Sequence, residues 1–149
     1  MDVPAVLVVH AAVTCFLAGL IWVIQLVHYP LFDHVDRERF VAFEGAHSRR
    51  ITWIVAPAMG LELITGAWLP WAVGPGPERT LLLVGAGLIA LVWLSTALVQ
   101  VPCHARLARG FDASAHRRLV RTNVLRTAIW SARAVLVSWL LLARLSGAG

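Results

Sequence analysis

Gln25 and His28 stand one helical turn apart, Gln100 and His104 are one residue wider, and Asn123 and Arg126 repeat the first spacing. Each pair sits at the border of an apolar stretch. Neutral imidazole nitrogens brought by several helices to one depth can ligate a transition metal or the iron of a haem, which makes His28, His104 and His47 candidate metal ligands. The amides of Gln25, Gln100 and Asn123 ligate iron poorly. They can instead orient an imidazole through its second nitrogen or meet the polar edge of a ligand, so with His10, His28, His104 and Trp130 they are candidate cofactor-binding residues. Glu62 and Arg133 each interrupt an apolar run. Glu62 could carry protons, and Arg126 and Arg133 could hold carboxylates or anionic intermediates, so these three are the candidate catalytic groups. His10 could be an axial ligand, a proton carrier or a helix-to-helix hydrogen bond. A plain reading stands beside each of these: an interfacial histidine bonded to a loop carbonyl, amides bonded to one another, or a buried ion pair that only sets helix register. No HExxH, CxxC or CxxCH is present.

The elements that must position these groups are membrane spans. The chain has 149 residues, 59% hydrophobic and 14% charged, with a mean hydropathy of +0.75, which leaves too little polar surface for a water-soluble domain of this size. Four apolar stretches, about residues 4–27, 51–73, 80–101 and 123–145, are each near the roughly 20 residues that a helix needs to cross the hydrocarbon core. The first has no basic leader and no small-residue cleavage site, so it reads as a retained helix. Gly74-Pro75-Gly76-Pro77 forces a tight antiparallel turn. Residues 36–50 place Phe40, Phe43, His47 and Ile51 at helical spacing behind Asp36, an amphipathic run-in continuous with the second span. Asp112 or Ser114 is placed to start the fourth helix two turns before the bilayer.

Within this frame Glu62 and Arg133 fall at a common depth near the bilayer centre, where an isolated charge is costly, so the two are expected to meet. His116, Asn123, Arg126, Trp130, Arg133 and Val137 share one face of the extended fourth helix, and His10, Thr14, Leu17, Ile21, Gln25 and His28 share one face of the first. Gly85, Ala86, Gly87 and Ala90 offer a small-residue face for close packing.

All thirteen basic residues are arginine. They flank apolar stretches and form no stripe on a soluble face, which excludes nucleic acid as the partner despite the basic balance. Arg37, Arg39, Arg49, Arg50, Arg106, Arg109, Arg117, Arg118 and Arg121 lie on one side, and only Arg79 and Arg144 on the other. The positive-inside rule then puts both long loops in the cytoplasm and both termini outside, in a bacterial-type inner membrane. Trp68, Trp71 and Trp139 suit an outer aromatic belt and Trp53 the inner boundary. Cys15 and Cys103 define no disulfide framework.

Two resemblances follow from short motifs. HAAVTCFLAGLIW, FVAFEG and RRITWIVAPAMGLELITGAWL resemble the first half of the membrane haem-binding protoporphyrinogen oxidases, which implies His10 as a haem-side ligand. The sequence departs from that family in containing no lysine. VQVPCHARLARGFD and NVLRTAIWSARAVL resemble the anthrone-oxygenase-like membrane proteins, in which His104, Trp130 and Arg133 occupy motif positions. Both resemblances imply redox or oxygen chemistry on a hydrophobic substrate.

The expected fold is an all-α, up-down-up-down four-helix bundle spanning the bilayer as one domain, able to form a homo-oligomer. One functional expectation is a haem- or metal-binding oxidoreductase acting on a lipophilic small molecule. The other is a non-enzymatic subunit or lipophilic-ligand module whose polar groups fix packing. Transport would call for an inverted repeat or broken-helix pair, and no repeat is evident.

Overall fold

The computed structural model describes residues 2–147, which hold helices and no strand. The first span is α1 (Val3–Val23) followed by a wide π turn (Ile24–His28) and a 3₁₀ turn (Pro30–His34). The second is α2 (Phe40–Ala72). The third comprises α3 (Pro77–Ser95), a second π turn (Thr96–Gln100) and α4 (Val101–Leu107), and the fourth is α5 (Ala113–Leu145). Each is long and apolar enough to cross a membrane, which makes the chain a multi-pass membrane protein. α1 packs on α2 and α5, and α3 packs on the same two, so the bundle is a ring with α1 opposite α3.

Local sequence explains the starts of α1 and α5. The Asp2 carboxylate accepts from the Ala5 amide ahead of α1, and Asp112 accepts from the Ser114 and Ala115 amides at the start of α5. These are side-chain N-caps. Asp36 is not the cap expected of it: α2 starts after Arg39 with no side-chain cap, and Asp36 contributes only its carbonyl, to the Arg39 amide. The run-in from Phe40 is continuous with the span. The third span runs past residue 101 to Leu107, across Pro102.

Both π turns end two residues before a proline, Pro30 and Pro102. Proline lacks an N–H and crowds the carbonyl four residues back, and a widened turn is one way for the helix to absorb this. The turns carry Gln25 with His28, and Gln100, so the helix registers that present these residues depart from ideal spacing.

Two apolar clusters build the interior. One, toward the arginine-rich end, includes Leu17, Ile21, Phe32, Phe40, Met59, Leu107, Leu119 and Trp130; the other includes Leu7, Leu69, Leu82, Val137 and Leu140. Leu26, Ile64, Leu98 and Val135 are more than 60% exposed, on faces that lipid covers. In lipid, helices associate through close packing and hydrogen bonds more than through the hydrophobic effect. Gly66 supplies the close packing between α1, α2 and α3: a Cβ there would overlap Ile89 Cδ1 and lie 2.9 Å from His10 Cε1. The expected small-residue face of α3 narrows to one buried position, Gly85, while Gly87 and Ala90 are exposed.

Candidate functional site

The mid-membrane charges meet. Arg133 Nη2 lies 3.0 Å from Glu62 Oε1 and Arg133 Nε 3.2 Å from the same oxygen. Glu62 also accepts from Thr14 Oγ1 at 3.0 Å and, through Oε2, from Trp130 Nε1 at 3.1 Å. Arg133 Nη1 donates to the Gly85 carbonyl. Thr65 gives its hydroxyl proton to the Leu61 carbonyl, so it accepts from His10 Nδ1–H at 2.7 Å; the remaining His10 lone pair, on Nε2, faces Arg133 Nη2 at 3.3 Å. This layer joins all four spans, and every polar atom in it has a partner. A carboxylate with four donors and a guanidinium with every nitrogen engaged leave no position open to a ligand.

Nearer the arginine-rich end, the imidazoles converge from three spans. His28 Nε2 and His47 Nδ1 are 2.7 Å apart, and the rings of His47 and His104 are 5.6 Å apart between centroids. His104 Nδ1 donates to Glu44 Oε1 at 2.6 Å, and its Nε2 faces the Tyr29 hydroxyl at 3.2 Å. Ser48 also donates to Glu44. His116 belongs to the frame: its Nε2 donates to the Tyr29 carbonyl at 2.8 Å, and its Nδ1 lies 3.5 Å from Asp33. Phe32, Phe40, Phe43 and Phe111 pack edge and face around these rings.

The amides form a layer between those two and do not orient the imidazoles. Asn123 Nδ2 donates to Gln25 Oε1 at 2.9 Å, Arg126 Nη1 to Asn123 Oδ1 at 3.0 Å, and Gln100 Nε2 to Thr122 Oγ1 at 3.1 Å. Gln25 and Asn123 thus bond to each other, the pattern expected of amides that serve packing, whereas Gln100 bonds to a hydroxyl. Two atoms of this layer have no partner: Arg126 Nε and Gln100 Oε1 are both fully buried. Both side chains line a cavity of about 280 Å³ between α2 and the third span, whose other walls include Ile51, Val55 and Met59. Tyr29, His47 and His104 stand at its polar end, and Thr52, Ala56, Trp93 and Val101 form an exposed rim.

The imidazole nitrogens are largely engaged within the protein. His10 and His104 have both ring nitrogens engaged, and His28 and His47 each spend one on the other. The α2 backbone at Gly66 packs against one edge of the His10 ring, where an added Cβ would lie 2.9 Å from Cε1. The expected metal ligands His28, His47 and His104 form a hydrogen-bonded cluster with Glu44 and Tyr29, and among the described residues no three His, Cys, Asp or Glu side chains are grouped as a metal site. Trp130 likewise serves as a donor to Glu62, with its ring 5.1 Å from the Arg126 guanidinium.

Sequence reasoning missed Glu44 and Tyr29, the two groups that position His104. The signal for Glu44 was present. It lies three residues before His47 and four after Phe40, on the buried face of the run-in. Tyr29 carried no such signal, because its side-chain direction depends on the π turn before it.

Comparisons with protein-family models, with curated proteins and with solved structures match nothing to this chain.

Proposed function

We propose that this membrane protein binds a lipophilic small molecule in the cavity between α2 and the third span, as a ligand-binding module rather than as a holder of haem. The reading is carried by one observation: Arg126 Nε and Gln100 Oε1 are buried without partners on the wall of a mostly apolar cavity. A buried polar atom left unpaired costs about 1–3 kcal/mol, and an apolar pocket with a few convergent polar groups is the usual form of a small-molecule site. The exposed rim gives such a molecule a way in from the bilayer.

The test uses dodecanol brominated along its chain, which should quench Trp93 fluorescence saturably in the detergent-solubilised protein. Ala56→Phe, which fills the rim, should abolish the saturable part. Quenching that is linear in concentration and indifferent to Ala56→Phe would place the chain in the detergent and end this reading. A second reading, an oxidoreductase, has the imidazoles of His47 and His104 at the cavity wall in its favour. It requires a Soret band or a stoichiometric metal in the purified protein. The arginine asymmetry supports cytoplasmic placement of the imidazole end, with both termini outside.

A further inference from the structure

We infer that the molecule bound in this cavity is a single-chain amphiphile with an anionic head, a carboxylate or phosphate, held by Arg126. The inference rests on the cavity being the binding site proposed above.

Among the described residues two arginines are buried, Arg126 and Arg133, and ion pairing accounts for only one of them. Glu62 is taken by Arg133, Glu44 faces His104, Asp33 faces His116 and Asp112 pairs with Arg106. Arg126 is 5% exposed and, among the described residues, has no carboxylate within ion-pair distance. Its neighbours are the neutral Asn123 carbonyl, the face of Trp130 and the phenol of Tyr29. Among the described residues three buried side-chain polar atoms lack a partner, Arg126 Nε, Gln100 Oε1 and Glu44 Oε2. Glu44 still has His104 and Ser48 as donors, whereas the Arg126 guanidinium is removed from water without a counter-ion, and carboxylate and phosphate oxygens are the acceptors that its planar fork fits best. Arg133, at nearly the same burial, has the carboxylate that Arg126 lacks.

The cavity sets the shape of the rest. Its volume of about 280 Å³ is roughly nine times the ~30 Å³ that a water occupies in the liquid. That suffices for a head group and the first part of a chain. The remainder would leave past Ala56 and Trp93 into lipid, so one chain fits where a two-chain lipid would not.

Gln100 adds a further constraint. The Thr122 hydroxyl proton goes to the Arg118 carbonyl at 2.7 Å, so Thr122 accepts from the Gln100 NH₂ group, which fixes the amide with Oε1 as the orphan. An orphan acceptor calls for a donor. A head bearing a hydroxyl beside its anionic oxygens would satisfy Gln100 and Arg126 together.

The experiment measures saturable Trp quenching by brominated dodecanoate, 3-hydroxydodecanoate, dodecyl phosphate and dodecanol against the purified wild-type protein. An anionic head should bind at least about tenfold more tightly than dodecanol, and the tighter of carboxylate and phosphate identifies the source of the head. Arg126→Gln should erase the difference and Arg126→Lys should keep part of it. Gln100→Leu should remove only the preference for the hydroxylated chain. Equal affinity for dodecanoate, dodecyl phosphate and dodecanol in the wild type, still blocked by Ala56→Phe, would overturn the anionic head and leave the cavity reading standing. No saturable binding of any chain would overturn both. The wild-type series decides the matter even if an Arg126 variant fails to fold.

Discussion

Two buried arginines on one face of α5, two turns apart, differ in what surrounds them, and the difference predicts opposite mutational outcomes. Arg133 has Glu62, Gly85 and His10 as partners. Glu62→Gln leaves its charge uncompensated, a change that costs roughly 3–5 kcal/mol for buried pairs in general, and Arg133→Gln should recover part of the loss in the double variant. Additive single effects in a double-mutant cycle on thermal unfolding in detergent would show that the pair is not coupled. Arg126 lacks a counter-ion, so Arg126→Gln in delipidated protein should leave stability within about 1 kcal/mol of wild type or raise it. A loss as large as that at Glu62 would mean that the Arg126 charge is compensated within the protein.

At the scale of elements, α1, α2 and α3 meet where Gly66 leaves no room for a methyl group. Ile89 Cδ1 is a chain end that can turn aside, but His10 is held by hydrogen bonds at both ring nitrogens. Gly66→Ala should therefore destabilise by about 1–3 kcal/mol, as overpacking does. Gly85→Ala, whose Cβ would meet Arg133 Nη1 at 3.5 Å, should be tolerated. A melt showing the reverse order would refute this account of the contact. The start of α5 has its own determinant. The Ser114 hydroxyl and the Ser114 and Ala115 amides hold the Asp112 carboxyl well below the usual carboxylate range. A lowered value means that the cap is intact above the ordinary carboxylate range and is lost as pH falls through that lowered value. Amide exchange at Ser114 and Ala115 should accelerate in Asp112→Ala at neutral pH and in the wild type only in strong acid; unchanged exchange in the variant would remove the capping role.

For the whole molecule, the arginine asymmetry predicts that Ser114→Cys, in a background without Cys15 and Cys103, is labelled only from the cytoplasmic side. Gly74→Cys, on the opposite exposed turn, should be labelled only from outside. The reverse pattern would invert the topology and place the imidazole end outside. A bidentate pair, Arg144 Nε and Nη2 at 2.6 and 2.8 Å from Glu78, closes the Gly74 end of the bundle between α3 and α5. The lateral cavity lies in the other half, where both π turns are.

The four spans, their alternation and the pairing of Glu62 with Arg133 were legible in the residues alone, because span length, hydropathy and the cost of a charge in hydrocarbon depend on residue type and position. The buried stripe of His116, Asn123, Arg126, Trp130 and Arg133 was equally legible, since α5 is regular helix through all of it. The contact made by each polar group emerges only once the helices are packed. Gln25, Gln100 and Tyr29 lie within or beside π turns, where the step of about 100° per residue no longer holds and facing cannot be extrapolated. Whether Arg126 has a partner depends on side chains from other helices, and a partner's absence leaves no mark in residue spacing. The cavity beside it is fixed by how far α2 stands from the third span, which is set by packing between helices and by no single residue in either.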